Sequence, residues 1–226
     1  MTLPAAASTS GAGLPIVILI SGRGSNMRVI AECAASGVLP IDIRAVISDK
    51  VDAAGLATAA AMGIPAVALS PAGFADRPTY DAALAALVAG YAPKLVVLAG
   101  FMRILTPTFI EPFAGRILNI HPSLLPRYRG LHTHRRALEA GDAEHGVSVH
   151  LVTQELDGGP VIIQARVPVL PTDTEDSLSA RVQREEHRIY PLVIDWIARG
   201  RLTLDGELPQ LDGEVLHSPV RFTNGD

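Results

Sequence analysis

The chain holds 226 residues, 48% hydrophobic, 19% charged and only 4% aromatic, with a formal net charge of −4. That length suits one α/β domain whose core is packed from Ala, Val, Ile and Leu rather than from rings. The negative balance argues against a surface built mainly to hold nucleic acid, while a local site for one phosphate stays compatible with it.

Residues 1–14, MTLPAAASTSGAGL, are small and weakly polar and are expected to form a disordered extension. They lack the basic start and apolar stretch of a signal peptide, and PIVILI falls far short of the roughly 20 apolar residues of a membrane span. The expectation is a cytoplasmic chain with no membrane partner. The single cysteine, Cys33, excludes an intramolecular disulfide and suits a reducing compartment. It falls on an apolar helix face, where inert packing is the expected role.

PIVILI (15–20) reads as a buried parallel strand, followed by the turn SGRGSN. A helix is predicted from about Ser25, an expected N-cap, to a stop at Gly37. IDIRAVIS is a second strand, DAAGLATAAAMG a helix closed by Gly63, IPAVALS a third strand and DRPTYDAALAALVAGY a helix. KLVVLAG is a fourth strand, and the short helix TPTFIEPF leads into RILNIH. Strands and helices alternating through short links imply βαβ units and a mainly parallel twisted sheet with helices on both faces. After His121 the rhythm changes. A loop over 122–130 precedes a helix near 131–141, and GVSVHLVT and PVIIQARVPVL read as two strands joined through QELDGG. Residues 174–200 have helical periodicity, with Pro191 expected to bend or restart the helix. In the tail, two LDGE copies with Asp-Gly turn signals predict a small edge hairpin.

Three constellations can carry chemistry. In SGRGSN, glycines between a strand and a helix start let backbone N–H groups converge on an anion in the favourable field of the helix. Gly22-x-Gly24 also opens like a dinucleotide fingerprint, with Asp49 where a ribose partner would sit, but Met27 stands where the third glycine belongs. A plain tight turn is the third alternative. Asn119 and His121, two apart on a strand, project to one face at its carboxyl end, where ligands gather in open α/β sheets. An amide beside an imidazole can stabilise an oxyanion; a satisfied core histidine and a turn asparagine fit the same residues. Asp157 before Gly158-Gly159 reads as a β-turn or as a carboxylate that orients an imidazole. His121, His132 and His134 lack further ligands at metal spacing, so no metal is expected, and His187 is expected on a solvated face.

Taken together and in this order, VILISGRGSN, VVLAGFMRIL, LNIHPSLLPRYRGLHTH, HGVSVHLVTQELDGGPVI and RVQREEHRIYP resemble the glycinamide ribonucleotide (GAR) transformylase family of purine biosynthesis. These pieces fall within residues 16–191. The resemblance implies a formyltransferase fold with a Rossmann-like N-terminal half, and the co-substrate 10-formyltetrahydrofolate with no metal. It implies transfer of a formyl group to the amine of GAR in de novo purine (IMP) biosynthesis. It divides the domain 15–226 into a phosphate-binding half (about 15–113), a folate and catalytic half (about 114–200) and the C-terminal hairpin (about 201–226). It assigns catalysis to Asn119, His121 and Asp157, and GAR binding to Gly24, Ser25, Asn26 and Glu186. Folate is assigned to Met102, Arg103, Ile104, Leu105, Asn119, Val152, Thr153 and Asp157. The family often has Asn where this chain has Arg23, so Arg23 stays outside the assignment. A monomer or a homodimer is expected, with small-molecule partners only. LHTH after SLLPRYRG resembles the GAR enzymes rather than methionyl-tRNA formyltransferase or formyltetrahydrofolate hydrolase, whose additional domains this length does not accommodate.

Overall fold

The computed structural model describes residues 13–204, 206 and 208–223. Nearly all of the expected N-terminal extension lies outside the described residues, and Leu14 already opens the first strand. The elements in chain order are β1 (Leu14–Ile20), α1 (Ser25–Ala35), β2 (Ile41–Ser48), α2 (Ala54–Ala61), β3 (Ala66–Ala68) and α3 (Arg77–Gly90). Then come β4 (Leu95–Leu98), α4 (Pro107–Ile110), β5 (Ile117–His121), α5 (Thr133–Glu139), β6 (Glu144–Leu151), β7 (Val161–Pro168) and α6 (Glu175–Ala198). The tail adds β8 (Leu202–Thr203), β9 (Gln210–Leu211), β10 (Glu214–Val215) and β11 (Val220–Phe222).

Eight strands form one sheet in the order β11-β7-β6-β5-β4-β1-β2-β3. Pairing is parallel from β3 through β5, then antiparallel at β5–β6 and β6–β7, and parallel again at β7–β11. Because side chains alternate along a strand, β1 feeds two cores. Ile16, Ile18 and Ile20 pack with α1 and α6, while Val17 and Leu19 pack with α3 and α4. Helices therefore cover both faces, as the alternation predicts. On β5 the same rule sends Leu118 and Ile120 to the first core and Ile117 to the second, so Asn119 and His121 share the α3–α4 face.

Several local expectations are corrected. Gly24, in the left-handed region at φ 69°, is the N-cap of α1, and Ser25 is its first helical residue. Helix α6 runs through Pro191 without restarting, because Pro191 is buried among Ile189, Tyr190, Val193 and Ile194, whose packing holds the turn that the ring would open. The tail does not put a hairpin on the edge of the main sheet. Asp212 and Gly213, both at positive φ, turn β9 into β10 as a primed turn requires. That hairpin joins β8 in a separate three-stranded sheet, and β11 takes the main edge beside β7. Residues 205 and 207 of the first LDGE copy lie outside the described residues.

Candidate active site

The buried apolar residues of β5 anchor the strand, and its two polar residues are built into a network. His121 is 6% exposed. Its Nε2–H donates to the Tyr128 carbonyl at 2.9 Å, and its Nδ1 lies 3.5 Å from Asp157 Oδ2. Both ring nitrogens thus face acceptors. Asp157 sits in the left-handed region (φ 47°) within the turn that Gly158 N–H closes on the Glu155 carbonyl at 3.1 Å. The turn and the carboxylate of the sequence reading therefore coexist at one residue. A Cβ on Gly159 would lie 2.0 Å from the Leu151 carbonyl, so the chain can return this close to β6 only at glycine. The Gly130 amide donates to Asp157 Oδ2 at 2.8 Å and fixes the carboxylate from the opposite loop.

His150 completes the network, and sequence reasoning assigned it no part. It stands directly opposite Asn119 in the β5–β6 register. Its Nδ1–H donates to the Leu151 carbonyl at 2.8 Å, which leaves Nε2 to accept from Asn119 Nδ2 at 3.1 Å. Burial pushes the His150 pKa down, in keeping with a neutral ring. The available signal was a histidine one residue before the end of the strand EHGVSVHL, but its cross-strand partner is a property of topology.

A cavity of about 460 Å³ opens over this network. Asn119, His121 and Asp157 line it, as do Met102, Arg103, Ile104, Leu105, Val152 and Thr153. Every residue of the expected catalytic and folate sets is therefore brought to one cavity. Met102, Ile104, Leu131 and Leu156 are exposed apolar side chains on its wall, suited to the flat face of a conjugated ring. The Arg103 guanidinium stacks over the Tyr80 ring at 4.6 Å.

Gly24, Ser25, Asn26 and Glu186 do not line this cavity. They form a neighbouring cluster at the carboxyl end of β1. There the first-turn amides of α1 lack intrahelical acceptors, and no acidic residue occupies that turn. Asn26 Nδ2 donates to Glu186 at 2.7 Å, and burial raises the Glu186 pKa. Gln183 Nε2 donates to Ser25 Oγ at 3.2 Å. Ser21 ties the two regions together: its amide donates to the Gly100 carbonyl at 3.1 Å and its Oγ accepts from Met102 N–H at 2.8 Å. Arg23 is exposed at the tip of the glycine loop.

Among the described residues, no group of three or more His, Cys, Asp or Glu is arranged to hold a metal ion. His134 instead meets His145 edge to face, with Nδ1 and Nε2 3.1 Å apart. His187 is not solvated as expected but half-buried against α1, and burial lowers its pKa. Cys33 packs against the core, and partial burial raises its thiol pKa.

Comparison with known proteins matches residues 14–194 to the formyl transferase family. Phosphoribosylglycinamide formyltransferase of Escherichia coli (strain K12) is 56% identical over 201 residues, covering 89% of this chain and 95% of that protein. The trifunctional purine biosynthetic protein adenosine-3 of Homo sapiens is 38% identical over 189 residues, which are 84% of this chain but 19% of that protein. Among solved structures, phosphoribosylglycinamide formyltransferase from Coxiella burnetii, in complex with CHES, superimposes with a TM-score of 0.89 at 49% identity, covering 93% of this chain and 99% of that one. Glycinamide ribonucleotide transformylase 1 from Symbiobacterium toebii gives 0.85 at 42% identity, with coverages of 92% and 99%.

Proposed function

The chain belongs to the formyl transferase family, and we propose that Asn119, His121 and Asp157 carry its transfer of a formyl group from 10-formyltetrahydrofolate to the amine of GAR. The products are N-formyl-GAR and tetrahydrofolate, in purine biosynthesis. The meeting of these three side chains in one cavity carries the assignment.

The GAR amine attacks the formyl carbon on N10, and the carbonyl oxygen becomes an oxyanion in a tetrahedral intermediate. The Asn119 amide donates to that oxygen and the His121 imidazolium sets a positive charge beside it, in a pocket where preorganised groups act with little screening. Asp157, 3.5 Å from His121 Nδ1, orients the ring and takes part in relaying the amine proton towards N10, directly or through water. The C–N10 bond then breaks with the proton delivered to the departing nitrogen. The step as written uses no covalent enzyme intermediate and no metal.

The GAR phosphate belongs on the amides of Gly24, Ser25 and Asn26, and its ribose beside Glu186. The folate belongs along Met102 to Leu105, against Val152 and Thr153. All of these residues come from one chain, so the site is compatible with a monomer or a homodimer. The proposed compartment is the cytoplasm, supported by the lone cysteine and by the absence, among the described helices, of any long and apolar enough to cross a membrane. The test is loss of 10-formyltetrahydrofolate with purified protein and, in turn, GAR, an amino-sugar nucleotide and an aminoacyl-tRNA. Consumption that depends on GAR is expected; consumption with another amine but not with GAR would reject the substrate and leave the fold untouched.

A further inference from the structure

Asp157 is held by a loop that does not contain it. Its Oδ2 accepts from the Gly130 amide at 2.8 Å, and Gly130 ends the 122–130 segment, which also lines the cavity. One residue before Gly130, the Arg129 guanidinium pairs with the Glu155 carboxylate, two residues before Asp157. The two loops are thus cross-linked twice in register, at 129–155 through side chains and at 130–157 through a backbone amide.

Both partners are themselves held. The Arg129 carbonyl accepts from Arg136 Nη1 at 2.7 Å, which ties the clip to α5. The Glu155 carboxyl lies over Gly158, where a Cβ would be 2.4 Å from it, and the Glu155 carbonyl accepts from Gly158 N–H. Glu155 therefore closes the turn that presents Asp157 at a positive φ. A left-handed aspartate persists only where its surroundings over-determine it.

We propose that the Arg129–Glu155 ion pair is a positioning clip that holds the 154–158 turn, and with it the Asp157 carboxylate, against His121 during formyl transfer. The inference rests on the catalytic assignment given above. Neither residue touches the reacting atoms in that assignment, so both act through Asp157. The pair is exposed, at 37% and 64% of its two side chains. Exposed pairs are weak, and the effect expected on turnover is accordingly about two- to fivefold.

The experiment is a double-mutant cycle of Arg129→Ala and Glu155→Ala, with the exchanged pair R129E/E155R, on the full chain. It reads kcat, KM for GAR and for 10-formyltetrahydrofolate, and hydrogen exchange at the Gly158 amide. Each single variant is expected to lower kcat about two- to fivefold at unchanged KM and to speed exchange at Gly158. The double variant is expected to be no worse than either single, and the exchanged pair to recover most of the lost kcat. Additive losses, an unchanged kcat, or a higher KM for folate at unchanged kcat would overturn the clip. If the unsubstituted chain fails to formylate GAR, the proposed function falls, whereas exchange at Gly158 still reports on the clip itself.

Discussion

The amide of Asn119 has one N–H committed to His150 Nε2, which leaves the second to donate to a ligand oxygen in the cavity. An amide can rotate by half a turn and present oxygen where nitrogen was, so the fixed acceptor on His150 decides which end faces the substrate. Replacing His150 by Phe keeps a buried ring but removes that acceptor. We expect kcat to fall about tenfold, equivalent to roughly 1.4 kcal/mol of transition-state stabilisation, with little change in KM for GAR. Steady-state kinetics of His150→Phe checks this. Residue identity drew attention to Asn119, His121 and Asp157 as candidates, because an amide, an imidazole and an Asp-Gly-Gly turn are unusual choices at strand ends. It left a core histidine and a plain turn open, and only the family resemblance gave the three residues roles. Residue identity could not reveal His150, whose role comes from the residue across the ladder, nor the Arg129–Glu155 pair, whose members are 26 positions apart.

At the scale of elements, α5 and β6 are joined through the edge-to-face His134–His145 contact. Burial first, and then the nearness of the other ring, lowers the His145 pKa to about 4, and burial lowers that of His134 as well. The folded state therefore holds both rings neutral, while an unfolded chain takes up protons near the usual histidine value. The stability associated with this contact is full above about pH 6.5 and is lost as the pH falls from there towards 4. A melting temperature followed across that range should decline, and His145→Gln should flatten the decline. Elements of strong pattern were legible: β1, β4, α1, α3 and α6 follow apolar periodicity and punctuating Gly. Two misreadings share a cause in tertiary packing. Pro191 stays helical because its neighbours are buried, and β11 has too few residues to carry any pattern until β7 offers it an edge.

Across the whole molecule, the sheet changes character at β5. Parallel pairing on one side brings the carboxyl ends of β1, β4 and β5 together, so that the glycine loop, residues 100–105 and the Asn119–His121 pair gather at one end. Antiparallel pairing on the other side lets β6 set His150 against Asn119 and return Asp157 through the next loop. Tyr190 of α6 locks this junction: its buried hydroxyl shares its proton between the carbonyls of Leu98 on β4 and Leu118 on β5, at 2.8 and 3.1 Å. Tyr190→Phe removes the donor and should cost about 1–3 kcal/mol of stability in urea unfolding. The central claim is that three groups gathered at this junction perform the transfer. Its most direct test is the turnover number for formyl transfer to GAR, at saturating 10-formyltetrahydrofolate, in the Asn119→Ala, His121→Ala and Asp157→Ala variants. Loss of one oxyanion donor predicts a fall of about 10²–10³ for Asn119→Ala, with the other two at least as severe. Near-normal turnover in His121→Ala and Asp157→Ala would contradict it.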